Sequence, residues 1–128
     1  WDRQDAAWLG LHTLNVSDFA TSYVRPQENA NRCGVRWIEL MHPGGGVRVS
    51  ADGQPLMVSA WPYTQADLES AKHAAELRTR DVLTVNLDHF QMGVGGDNSW
   101  GLPVHDPYTI KAEGTYSWRL TLEPLGAL

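Results

Sequence analysis

Cysteine is nearly missing from this chain of 128 residues: Cys33 is the single one. No internal disulfide can therefore form, and no cysteine-based zinc site exists; the thiol reads as a small hydrophobe in or near a core. Long apolar runs are also lacking, and no stretch approaches the roughly 20 apolar residues of a membrane-spanning helix. Positive charge is short as well, with 10 Lys and Arg against 15 Asp and Glu and a net charge of −5. Without a basic patch or run the chain is not expected to bind nucleic acid or an anionic membrane surface. The histidines His12, His42, His73, His89 and His105 show no His-x-His or His-x-x-x-His spacing, so no metal and no cofactor is expected in this chain. The opening residues Trp1-Asp2-Arg3-Gln4-Asp5 are not a signal peptide, and no initiating Met precedes them. The sequence reads as a piece cut from something longer, or as a processed product.

What is present is strand and turn. At this length the chain reads as one domain, 1–128. Val35 to Met41 is rich in β-forming types and ends at the breaker His42-Pro43-Gly44-Gly45-Gly46. Val47, Val49 and Ala51 alternate with Arg48 and Ser50, Asp52-Gly53 supplies a turn pair, and Leu56 to Trp61 follows; residues 47–61 are expected to form a hairpin. Val82 to Leu87 and Tyr116 to Leu122 are further strands, the latter with Tyr116, Trp118, Leu120 and Leu122 on one face. One helix is predicted after Thr64, an N-cap with Asp67 completing a capping box. Its apolar stripe, Leu68, Ala71 and Ala75, is shallow. The fold class is all-β: an antiparallel β-sandwich with one short helix.

Two clusters carry candidate chemistry. In Met92-Gly93-Val94-Gly95-Gly96-Asp97-Asn98-Ser99-Trp100-Gly101 the glycines allow positive φ or a close approach. No Lys-Ser/Thr or helix start follows, so this is no phosphate cradle. A shaped loop that holds out an indole suits the apolar C–H face of a sugar ring, although most tryptophans plug cores. Asp97 is a turn-former that bonds the loop's own amides or fixes the loop against a partner domain; Asn98 and Ser99 first satisfy backbone groups. His89, beside this loop, is the histidine with the best case for function. The second cluster is Arg25-Pro26-Gln27-Glu28-Asn29, where Pro26 keeps Arg25 extended. It reads first as a polar network that orders a loop, with Arg32 or Arg36 pairing Glu28, and second as a sugar contact. No pair of carboxylates is marked for glycoside hydrolysis, which needs two at a set separation.

The segment Leu87–Trp100, with the block Tyr23-Val24-Arg25-Pro26-Gln27-Glu28-Asn29-Ala30-Asn31-Arg32 running into Val35-Arg36-Trp37, and Ser59-Ala60-Trp61-Pro62-Tyr63-Thr64, resembles the C-terminal small-chain segment (domain 5) of the large, lactose-type β-galactosidases of glycoside hydrolase family two. The blocks stand in the family's order and cover about residues 20 to 122. The family often has Gly where Ala30 stands and Asp where Asn98 stands. The resemblance implies that the chain is the last part of a mutarotase-like supersandwich. It further implies that the catalytic glutamates lie on a separate barrel domain, leaving no catalytic residue here and an isolated chain without hydrolytic activity. Trp100, with Asp97, Asn98, Ser99 and His89, would serve as substrate-binding residues toward a β-galactoside. The expected partners are that sugar, the remaining domains of the parent enzyme and, through open sheet edges, a second copy in a homo-oligomer. Cytoplasm and periplasm of a bacterium both stay open. Two other readings are a free-standing carbohydrate-binding module using the same aromatic loop, and a fold-related aldose epimerase, for which only His89 with Glu28 could be nominated as acid and base.

Overall fold

The computed structural model describes residues 9–92, 96–98 and 100–127; Trp1, Trp8, Gly93, Val94, Gly95 and Ser99 lie outside them. The chain divides into two compact units, each built from separated stretches: the first takes residues up to Gly34 together with Met57–Leu87, the second Val35–Leu56 together with residues from Asp88 onward. Each unit is centred on a three-stranded sheet. The fold is all-β, mostly antiparallel, with one short α-helix.

In the first unit β1 (Arg32–Val35), β4 (Leu56–Trp61) and β5 (Thr84–Asp88) pair in the order β1-β4-β5. The central strand β4 is buried at every position but Met57, which is why it reads Leu-Met-Val-Ser-Ala-Trp rather than as an apolar–polar alternation. Full burial of Leu56 and Val58 contributes about 1.5–3 kcal/mol each.

Thr64 starts the helix α1 (Gln65–Ser70) as the sequence predicts: its hydroxyl accepts from the Asp67 N–H at 3.2 Å while the Asp67 carboxylate accepts from the Thr64 N–H at 2.8 Å. Leu68 and Ala71 are buried. The helix ends at Ser70, and Ala74–Glu76 forms a separate 3₁₀ turn, so Ala75 does not extend the helical stripe. A clamp absent from the sequence reading closes this region. Arg80 donates through Nε and Nη2 to the two Asp67 carboxylate oxygens, both at 2.6 Å. That guanidinium, with the Thr64 backbone and hydroxyl, holds the Asp67 carboxyl well below the usual carboxylate range.

The second unit holds β2 (Trp37–His42), β3 (Gly45–Asp52) and β6 (Arg119–Leu125), antiparallel throughout in the order β2-β3-β6. Here the expectation of a 47–61 hairpin fails. The hairpin is β2–β3, closed by Pro43-Gly44 with His42 opposite Gly45, and the His42 Nδ1 accepts the Gly44 N–H at 3.0 Å. β3 has β2 along one edge and β6 along the other, in register from Gly46↔Leu125 to Asp52↔Arg119, so it has no edge left for β4. Gly53 does adopt the positive φ expected of a turn, +97°, but that turn passes the chain from one sheet to the other.

Two further differences follow from local backbone. The Val35–Met41 strand is broken at Arg36, with β1 ending at Val35 and β2 starting at Trp37. The last strand begins at Arg119, leaving Tyr116 and Trp118 before it. Of its expected apolar face, Leu120 is half-buried and Leu122 is 61% exposed.

Candidate functional site: a stapled loop carrying Trp100

The loop after β5 is organised by one side chain. The Asn98 carboxamide oxygen accepts three backbone N–H groups, from Trp100 at 3.2 Å, Gly101 at 2.7 Å and Leu102 at 3.2 Å. Three donors converging on one atom fix it as the oxygen and leave the amide nitrogen outside the staple. The backbone folds back in the same place, where the Gly96 N–H donates to the Asn98 carbonyl at 3.3 Å. A Cβ at Gly96 would stand 2.8 Å from the Leu102 carbonyl oxygen and closer still to that of Pro103, so this glycine is required for close approach. Asp97 is engaged by His105, whose Nε2 lies 2.8 Å from the carboxylate. The loop is thus tied at consecutive residues, Asp97 and Asn98, to segments that follow it.

The result is an indole held outward. Trp100 is 89% exposed, although a tryptophan of a folded domain is usually well buried. The backbone N–H of this residue is bonded to Asn98, so the exposed ring stands on a constrained main chain.

His89 belongs to a different group in the same unit. Its ring stacks on Trp118 with centroids 6.2 Å apart and 16° between planes, and lies 4.4 Å from Phe90. Phe90 in turn meets Tyr116 edge-on at 5.5 Å. Asp88, just before, accepts from Gln91 at 2.8 Å. Of the five residues the sequence nominates, Asn98 and Trp100 are joined directly, Asp97 is bonded to His105, His89 sits in the aromatic stack, and Ser99 lies outside the described residues. His105 was not singled out in the sequence; its distance from Asp97 along the chain gives no periodic signal.

The Arg25–Arg32 block builds a second ordered loop, in the first unit. The Asn29 carboxamide clasps Thr21 from both sides, its oxygen accepting the Thr21 N–H and its nitrogen donating to the Thr21 carbonyl, each at 3.0 Å; the nitrogen also reaches the Gln27 carbonyl at 3.3 Å. Arg32 donates to the Ala30 carbonyl at 2.7 Å, and its guanidinium lies 4.7 Å from the Phe19 ring centre. Ala30, where the resembling family often has Gly, takes φ of +63° while 1% exposed.

Among the described residues no group of three or more His, Cys, Asp or Glu side chains is placed to hold a metal, and no helix is long and apolar enough to cross a membrane.

Comparison with known proteins decides the family. A family model described as the β-galactosidase small chain matches residues 1–122. The chain belongs to the β-galactosidase small-chain family. It is 41% identical over 124 residues to a β-galactosidase of Lactobacillus delbrueckii subsp. bulgaricus, a match covering 97% of this chain and 12% of that protein. It is 42% identical over 113 residues to one of Halalkalibacterium halodurans, covering 88% of this chain and 11% of the relative. A β-galactosidase of Priestia megaterium is 38% identical over 125 residues, again 98% against 12%. The small-chain sequence thus spans about one eighth of the length of the relatives it matches.

Proposed function

We propose that this chain is the C-terminal segment of a β-galactosidase that hydrolyses terminal β-D-galactosides, and that it supplies the Trp100 loop as a wall of the sugar pocket. The catalytic glutamates belong to another part of the polypeptide. The observation that carries the reading is an 89% exposed indole on a main chain stapled by Asn98, in a member of the β-galactosidase small-chain family.

The chemistry asked of Trp100 is stacking on the C–H face of a pyranose. Such a contact holds substrate and transition state alike, so it lowers KM more than it raises kcat. Asp97 and Asn98 act through the loop's shape, with Ser99 between them and the indole, and His89 borders the same region of the sequence. The small share of the relatives' length covered here supports a role for the remaining domains as this segment's principal partners, with assembly of the parent enzyme, including association of copies, as its second contribution.

The test is Trp100→Ala in the full-length enzyme, with steady-state kinetics on lactose. Aromatic contacts of this kind contribute about 0.5–1.5 kcal/mol, so KM should rise about 2- to 12-fold with kcat changed less. Unchanged kinetics in a folded enzyme would overturn the sugar-pocket role and leave assembly as the segment's contribution.

A further inference from the structure

The turn that carries Trp100 owes its shape to polar ties rather than to packing. Asp97, Asn98, Trp100, Gly101 and Leu102 are all exposed, so little apolar burial holds it down. The Asn98 oxygen acts inside the turn, on the N–H groups of Trp100, Gly101 and Leu102. It fixes the shape of the main chain there, and not the place of that shape on the protein. Among the described residues, the one hydrogen bond that leaves the stretch 96–102 joins Asp97 to His105.

His105 is built to be the fixed end of that tie. Its carbonyl accepts the Tyr108 N–H at 2.9 Å and opens a 3₁₀ turn, Asp106–Tyr108. Pro107 inside that turn and Pro103 before it each restrict the backbone. The Thr109 hydroxyl donates to the Asp106 carbonyl at 2.8 Å, and Lys111 pairs with the Asp106 carboxylate at 3.3 Å. A carboxylate only accepts, so the His105 Nε2 carries the hydrogen and donates it to Asp97 at 2.8 Å. The bond therefore brackets Trp100, with one end before the indole in the chain and the other after it.

We propose that His105 is a positioning residue for Trp100, holding the turn in the place from which the indole meets a galactoside. The inference rests on the reading of Trp100 as a wall of the sugar pocket. A ring already held in place loses less freedom when the sugar arrives than one that swings with its turn. Without the tie, only a fraction of the molecules holds the indole in place, and the apparent affinity falls with that fraction. His105 touches no substrate; it acts through Asp97 and the main chain.

The experiment is steady-state kinetics on lactose with the full-length enzyme carrying His105→Ala, His105→Gln, Trp100→Ala, or His105→Ala together with Trp100→Ala. Amide hydrogen exchange of residues 97–102 is measured on the same proteins. The His105 and Asp97 side chains are 57% and 69% exposed, and pairs of that kind are weak, so His105→Ala should raise KM about 1.5- to 5-fold with kcat changed less. Exchange at Trp100, Gly101 and Leu102 should speed up with it. His105→Gln should restore both, since a carboxamide N–H can take the place of Nε2. In the Trp100→Ala background His105→Ala should add no further rise in KM, whereas a histidine that only stabilised the fold would add its full effect. Three results would overturn the proposal: a KM indifferent to His105→Ala where Trp100→Ala raises it, His105→Gln as impaired as His105→Ala, or an undiminished His105→Ala effect without the indole. If Trp100→Ala leaves KM unchanged, the sugar-pocket reading has failed; His105 then stands as the residue that fixes the turn when exchange responds to His105→Ala, and falls when it does not.

Discussion

Two loops of this molecule are built around one asparagine each, and they end in opposite places. Asn29 clasps Thr21 and Gln27 in a loop that lines a cavity together with a buried Trp61. Asn98 gathers three amides in a turn whose Trp100 points into water. The difference lies in which end of the amide is used. Asn29 needs both its oxygen and its nitrogen, whereas the Asn98 staple needs only the oxygen. A carboxylate can therefore replace the second and not the first. The Asp often found in the resembling family at position 98 fits that chemistry, since a carboxylate accepts the same three N–H groups with added charge.

The largest effect in this comparison should come from Asn29→Ala. It deletes three bonds, two of them part-buried, worth about 2–3 kcal/mol together. Hydrogen exchange of residues 17–32 in the full-length enzyme should speed up accordingly, and Asn29→Asp should rescue little because the donor is gone. Asn98→Ala should cost about 1 kcal/mol, since water replaces the lost acceptor at exposed amides. Exchange at Trp100, Gly101 and Leu102 should rise while Asn98→Asp restores protection; equal behaviour of the two Asp variants would erase the distinction.

Acid sharpens a different part of the first unit. Asp67 has its carboxyl held below its ordinary 3.8 by Arg80 and Thr64. Its contribution to stability is therefore complete above that value and is lost as pH falls below it. Exchange of residues 64–80, corrected for intrinsic rates, should loosen on going from pH 5 to pH 3. Asp67→Asn should remove most of that pH dependence.

The smallest effect belongs to Ala30→Gly. Relief of a left-handed φ is worth about 1–2 kcal/mol. Loss of a buried methyl costs about 0.8 kcal/mol, and the freer unfolded chain takes back about 0.4–1 kcal/mol. The net change should stay within about 1 kcal/mol by the same exchange measurement. A larger gain would mean that the Ala30 methyl contributes little to packing.

The parts of this fold legible in the sequence are those with a short-range cause. The capping box needs only Thr64 and Asp67, three residues apart, and the run Leu56–Trp61 declares itself by composition. The hairpin error has a long-range cause: Asp52-Gly53 is a good turn, but β3 is claimed by β6 from the far end of the chain. The Trp100 loop was visible as an unusual glycine run, while the division of labour within it was not. Asp97 and Asn98 are interchangeable in pattern; His105 engages one, and the turn geometry employs the other. The cavity beside Trp61 draws on residues from 17 to 77 and leaves no periodic trace.

The place of β6 in its sheet has a consequence for biosynthesis. Arg119 meets Asp52 across 67 residues of chain, while β2 meets β3 at once through a two-residue turn. At translation rates of 5–20 residues per second, β3 spends about 3–13 s with one bare edge after it has been made. An unpaired edge of that kind templates wrong pairing. Growth conditions that slow elongation across residues 53–118 should therefore lower the yield of correctly folded protein without altering the finished molecule at all.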